Sequence, residues 1–160
     1  MTPVRKYTLT SWEGRPAVPE RSYIAVPCHC LTMRQASRQV TQLYDQHFAP
    51  TRLRVTQYSV LRVLGRNEPL SMQGLADLMV MDRTTLSRAL RPLERDGLVS
   101  VAQGRDARTR LLSLTQAGHD LLDELAPIWS RAQAEFETRF GSDETRDLRG
   151  MLSRVVSQIA

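Results

Sequence analysis

A mainly α-helical chain with one small β-hairpin is the fold class this sequence predicts, and three observations predict it. Apolar residues recur every three or four positions through several separate stretches, the period of helices that bury one face. Two of those stretches are short and nearly abut. Directly after them, the strand-like runs Leu98–Val101 and Leu111–Leu114 flank a polar, arginine-rich loop. Together these describe a winged helix-turn-helix domain over residues 51–115, flanked by helical segments at 28–50 and 116–160 and preceded by an arm at 1–27.

The totals bound the answer. At 160 residues, 41% hydrophobic and 24% charged, the chain is sized for one domain with a substantial core. It contains no run of 18 apolar residues, so a membrane span is not expected. The first 27 residues hold Pro3, Pro16, Pro19 and Pro27 and no apolar run of signal-peptide length. We therefore expect a cytoplasmic protein, in which Cys28 and Cys30 rest as reduced thiols. The net charge of +5 is uneven: residues 1–81 contribute +5, residues 82–110 contribute +3 and residues 111–160 contribute −3. Arginine supplies 21 of the 22 basic residues, and its planar fork suits phosphate and guanine edges. A basic surface is a prior for a polyanionic partner.

Taken in order, the elements read as follows. Residues 1–27 have no sustained period and are assigned no fold, only an arm able to pack on a partner. From Cys30 to Phe48, Met33, Ser37, Val40, Tyr44 and Phe48 form the stripe of a first helix, which Pro50 ends. Thr56 is placed to cap a second helix with Tyr58, Leu61 and Leu64 inward, broken at Asn67-Glu68-Pro69. Ser71 caps a short third helix through Met79, with Met72, Leu75 and Leu78 or Met79 facing in. Asp82 caps a fourth, in which Leu86, Leu90 and Leu93 run to a stop at Gly97. The hairpin follows as a wing, its tip holding Arg105, Arg108 and Arg110.

Thr115 then caps a long helix whose inward row includes Leu125, Trp129, Ala132, Phe136 and Phe140, with Pro127 expected to kink it. Gly141-Ser142 punctuates the chain before a last helix carrying Leu148, Val155 or Val156 and Ile159. These two helices show more apolar surface than one chain easily covers, so a homodimer is expected.

Residues 82–115, DRTTLSRALRPLERDGLV followed by D-A-R-T-R and L-S-L-T, resemble the MarR family of bacterial regulators. The resemblance covers about residues 28–160 and implies a dimer intertwined through dimerisation helices at 28–50 and 116–160 that presents two winged units to duplex DNA. Carried over residue by residue, it places Arg83, Thr84, Thr85, Ser87 and Arg88 near bases or phosphates in the major groove, with Arg91 on the backbone. Arg108 resembles the family's wing-tip arginine that enters the minor groove. Asp106 would hold the loop, and Arg105 or Arg110 would meet phosphate. A helix N-terminus aimed at the duplex would add its free N–H groups and dipole. A transcriptional repressor is therefore expected, and a dimer with two winged units should prefer a pseudo-palindromic operator.

Family effectors sit between the dimer helices and the winged unit, and two classes fit the residues. One is a small aromatic or other organic acid, clamped by Arg34 and Arg38, four apart on the first helix, with Tyr44, Tyr58 and Trp129 along its apolar part. The other is an oxidant. Cys30 falls on the reactive cysteine of the organic-hydroperoxide-sensing branch and Tyr44 on one of its tyrosines, while Arg34 and Val55 replace two further tyrosines. Cys28 would serve as the resolving thiol; alternatively, Cys30 is a buried apolar helix residue. Cys28-His29-Cys30 is spaced too tightly for the usual zinc pairs, so neither metal nor cofactor is expected.

Other functional classes leave weaker marks. His29, His47 and His119 lie in no catalytic motif, and no phosphate-cradling glycine loop occurs, so no catalytic residue is assigned. A thiol peroxidase using Cys30 is the least remote enzyme. A nonspecific architectural DNA binder would share the basic face without a switch.

Overall fold

The computed structural model describes residues 28–104 and 109–159. The arm at 1–27 and the wing-tip residues Arg105, Asp106 and Arg108 lie outside them. The chain divides into two units, residues 1–36 and 37–160. Of the first, the described part is the residues from Cys28 onward, the opening turns of α1 (His29–Phe48). There Cys28 occupies the cap position: Leu31 N–H donates to its sulfur at 3.5 Å and Thr32 N–H to its carbonyl at 3.0 Å.

The second unit begins within α1 and continues as α2 (Val55–Asn67), β1 (Leu70–Ser71), α3 (Met72–Met79) and α4 (Arg83–Arg95). Then come β2 (Val99–Gln103), β3 (Arg110–Leu114), α5 (Gln116–Phe140) and α6 (Ser142–Ile159). The strands form an antiparallel sheet in the order β1-β3-β2, with Val99 opposite Leu114 and Val101 opposite Leu112. The two-residue β1 pairs Leu70 with Leu112; it is too short to show a period in the sequence.

Local chemistry sets most boundaries. Ser71 Oγ accepts Gly74 N–H at 3.0 Å, Asp82 Oδ1 accepts Thr85 N–H at 2.9 Å, and Thr115 Oγ1 accepts Gly118 N–H at 3.1 Å. Gly97 follows α4 at φ +72°, the left-handed conformation a side chain resists. The start of α2 differs from the expected Thr56 cap. Thr56 lies inside the helix, and the first N–H groups are met from elsewhere: Val55 N–H donates to Asp45 Oδ1 of α1 at 2.9 Å, and Arg54 N–H to Gln57 Oε1 at 2.9 Å. A carboxylate ten residues away thus does the work of a local cap.

The core gathers Phe48, Tyr58, Leu61, Leu64, Leu75 and the α4 leucines, together with Leu112 of β3 and Leu125 of α5. In α3 the buried pair is Leu75 and Ala76. Met79 packs on the core, whereas Leu78 is exposed, which resolves the expected choice between them. Glu68 ties three elements together: its Oε2 accepts Leu114 N–H at 2.5 Å, and its Oε1 lies 2.9 Å from His119 Nε2 of α5. No helix among the described residues is long and apolar enough to cross a membrane.

Candidate nucleic-acid interface

The surface built by α3, α4 and the wing follows from what α4 buries. Leu86, Leu90 and Leu93, spaced four and three apart, are almost wholly enclosed, so the opposite face must look outward. On that face lie Thr84, Arg88, Arg91 and Arg95. Arg95 Nε donates to Asp96 at 2.9 Å, which ties up its charge. Arg88 and Arg91 are exposed and have no ion-pair partner among the described residues. Two uncompensated guanidinium groups one turn apart make a strongly positive strip with no folding role in view. Ser87, half-buried, sits at its edge.

The first turn of α4 is arranged differently from the expected open anion site. Asp82 Oδ1 takes the Thr85 N–H, and Thr85 Oγ1 donates to Asp82 Oδ2 at 2.6 Å. These bonds hold the Asp82 carboxyl below its ordinary value near 3.8, the side-chain bond from Thr85 being the largest cause. A carboxylate therefore occupies the helix N-terminus, and positive character here comes from side chains rather than from free N–H groups. Thr85 is a capping residue first, with only oxygen lone pairs left for a ligand.

Arg83 points from this turn toward α3, where its Nε donates to Gln73 Oε1 at 2.8 Å. Both line a crevice of about 400 Å³ together with Thr109 and Arg110 at the base of the wing. Arg110 pairs with Gln103 in the hairpin register and is exposed. Gln73 carries no signal in the sequence, where it is one more glutamine on a short helix.

The residues expected to bind an effector are dispersed. Tyr58 is closed off in the core with its ring 5.0 Å from that of Phe48, so it faces packing rather than a cavity. Trp129 is half-buried beneath Arg62, whose guanidinium carbon lies 3.7 Å from the ring centroid. Tyr44 lines a groove of about 270 Å³ where α1 meets α2 and the α3–α4 turn, with Val40, Val55, Ser59, Met79 and Met81. Its hydroxyl donates to Gln133 Oε1 at 2.5 Å, and burial pushes its phenol above the ordinary value near 10, partly offset by Arg149. Arg34 and Arg38 are exposed on α1, and neither is a wall of this groove. Cys28 and Cys30 are free and exposed, contrary to the reading of Cys30 as a buried apolar residue. Its place in the first helical turn leaves it on the surface of the chain. Among the described residues no group of three His, Cys, Asp or Glu is disposed to hold a metal ion.

Two capped helices joined by a three-residue turn, a leucine-backed arginine face and a hairpin beside it define a winged helix-turn-helix protein. The sequence pattern of the MarR family matches residues 53–109. The transcriptional regulator MosR of M. tuberculosis, solved in complex with DNA, is 36% identical with a TM-score of 0.70, covering 82% of this chain and 98% of its own. The chain belongs to the MarR family of DNA-binding transcriptional regulators. The HTH-type transcriptional regulator SarZ of Staphylococcus aureus is 28% identical over 138 residues, 84% of this chain and 93% of SarZ. A probable transcriptional regulator from Pseudomonas aeruginosa is 28% identical with a TM-score of 0.70, covering 79% of this chain and 95% of that one. These relatives are transcriptional regulators rather than enzymes.

Proposed function

We propose that the protein is a homodimeric repressor that binds a pseudo-palindromic operator and leaves it when a small aromatic or other organic acid occupies the joint between its dimer helices and its winged unit. The observation that carries the DNA half is the outward face of α4, where Arg88 and Arg91 stand exposed, unpaired among the described residues, over a fully buried leucine stripe. In this reading Arg83, Thr84, Ser87 and Arg88 meet the major groove, and Arg91 and Arg110 meet phosphate. Thr85 anchors the first turn. For Arg105, Asp106 and Arg108, outside the described residues, the family resemblance supports Arg108 in the minor groove, Asp106 holding the loop and Arg105 as the alternative to Arg110 on phosphate. The DNA complex of MosR supports a duplex partner.

Dimerisation is supported by the apolar residues that one chain leaves in water: Phe140 at the end of α5, and Met151, Leu152, Val156 and Ile159 along α6, each 45% exposed or more. Two winged units related by a two-fold axis would prefer half-sites about one helical turn apart. The effector half is supported by the Tyr44 groove, whose walls join α1 to the residues just before the Asp82 cap. A ligand there acts only as far as it favours the arrangement that fits DNA poorly. Exposure of both thiols supports a second reading, an oxidant sensor in which Cys30 reacts and Cys28 resolves it.

Fluorescence anisotropy with the duplex upstream of the protein's own gene, against a shuffled duplex, tests the proposal. Tighter binding to the first, lost in Arg88→Ala and relieved by aromatic acids, is expected. Relief by hydroperoxide that vanishes in Cys30→Ser would favour the second reading. Equal affinity for both duplexes would refute the regulator.

A further inference from the structure

We propose that Gln73 is a specificity-determining positioning residue: it holds the Arg83 guanidinium so that the two terminal amino groups are presented together to a guanine edge. The inference rests on the reading that α4 enters the major groove. It starts from a chain of two hydrogen bonds across the helix-turn-helix. Arg83 Nε donates to Gln73 Oε1 at 2.8 Å, and Gln73 Nε2 donates to Asp77 Oδ1 at 2.6 Å.

The chemistry of the three groups permits only this orientation. A guanidinium has donors and no acceptor, a carboxylate acceptors and no donor, and the amide between them has one of each. Turning the amide over would set N–H against N–H at one end and oxygen against carboxylate oxygen at the other. Gln73 and Asp77 are four apart on α3, so they meet on one face of the helix. That helix is itself fixed, by the Ser71 cap and by burial of Leu75 and Ala76.

What the clamp does to Arg83 follows from which nitrogen it takes. Arginine is a long side chain with many rotamers, and fixing one of them is a cost otherwise met on binding. Engaging Nε leaves both terminal amino groups, the prongs that reach guanine O6 and N7, unoccupied. A direct ion pair to Asp77 would cancel the charge and compete with DNA. The intervening neutral amide orients Arg83 without an ion pair to Asp77, in a crevice that it shares with Arg110 and with Glu94, to which it makes no ion pair among the described residues.

The test uses the full-length dimer and anisotropy at one salt concentration. Wild type, Gln73→Ala, Arg83→Ala, the double variant and Arg88→Ala are titrated with the operator, with duplexes carrying each half-site base pair singly replaced, and with a random duplex. Arg83→Ala should abolish a preference of about tenfold at one base pair, the worth of one bidentate contact. Gln73→Ala should flatten the same base pair and no other, leave the random duplex and the melting temperature unchanged, and add nothing in the double variant. Effects that multiply in the double variant, or a Gln73→Ala weakening uniform over all duplexes, would overturn the proposal by making Gln73 an independent contact. A base preference untouched by Arg83→Ala while Arg88→Ala still weakens binding would also overturn it, with the recognition helix left standing. If neither arginine matters for any duplex, the proposed function itself fails.

Discussion

Gly118, in the first turn of α5, lies under the connection between α4 and the wing, and its replacement by alanine puts a close backbone approach to the test. A Cβ at this position would stand 2.2 Å from Leu98 O, 3.2 Å from Leu98 C and 3.4 Å from Leu114 Cβ. The first distance is short of an ordinary contact by about 1 Å. The obstacle is backbone and it is pinned: Leu98 N–H donates to Leu93 O at 2.9 Å, and Leu98 O accepts Thr115 N–H at 3.0 Å. Relief therefore requires α5 to back away from the strand it follows, breaking or stretching the Thr115 bond. Overpacking costs about 1–3 kcal/mol, a weakened backbone hydrogen bond about 1 kcal/mol, and the better helix propensity of alanine returns about 1 kcal/mol. The net is a loss of about 1–3 kcal/mol, which for a domain of this size lowers the melting temperature by about 2–12 °C. Thermal unfolding by circular dichroism reads it directly. Gly150→Ala is the matched comparison, because nothing lies within 4 Å of the added carbon and the helix gain stands alone. That variant should melt about 2–4 °C higher. If Gly118→Ala also raises the melting temperature, the close approach of α5 to Leu98 is wrong.

Other perturbations address α4 and its proposed contact with DNA. Leu90→Ala, at a site 1% exposed, should cost about 2–5 kcal/mol and shift the urea midpoint without changing the slope; a loss under about 1 kcal/mol would mean the leucine stripe is not core. Because the Asp82 carboxyl is held below its ordinary value near 3.8, the stability it adds is fully present above that pH and is lost as pH falls toward the lower folded value. Acid unfolding of Asp82→Ala should lack this component, and identical acid limbs for variant and wild type would remove the cap from the account. If a bound dimer neutralises about 6–10 phosphates, affinity should fall by about 10³–10⁵ between 50 and 200 mM salt. Arg91→Ala should make the logarithmic salt slope shallower by about one unit for each phosphate left without its arginine, and an unchanged slope would take Arg91 off the backbone.

The basis of these predictions is unevenly visible along the chain. Ser71, Asp82 and Thr115 each cap the helix that their position in the sequence predicts, since an N-cap bond spans only three residues and is written in consecutive letters. The Leu86, Leu90, Leu93 stripe and the two strands of the hairpin are legible for the same reason: helical and strand periods are short. The α4 arginines are legible as exposed charge once the stripe is located. Tyr58 and Trp129 are not separable by period, because both lie on inward-facing rows. One ends against Phe48 and the other beneath Arg62, a difference set by which neighbour arrives opposite each.

By itself, the sequence determined the helical segments, the turn between α3 and α4, the wing and the side of α4 that is buried, because each depends on interactions within a few residues. Tertiary structure alone decided how remote groups meet. Asp45 caps α2, Glu68 joins β3 to α5, β1 adds a third strand, and Gln73 takes hold of Arg83. Each needs two elements brought side by side, and a hydrogen bond reaching about 3 Å registers only after the core has fixed their separation. The charge of the proposed interface is therefore inscribed in the chain, while the orientation of Arg83 is a property of the fold.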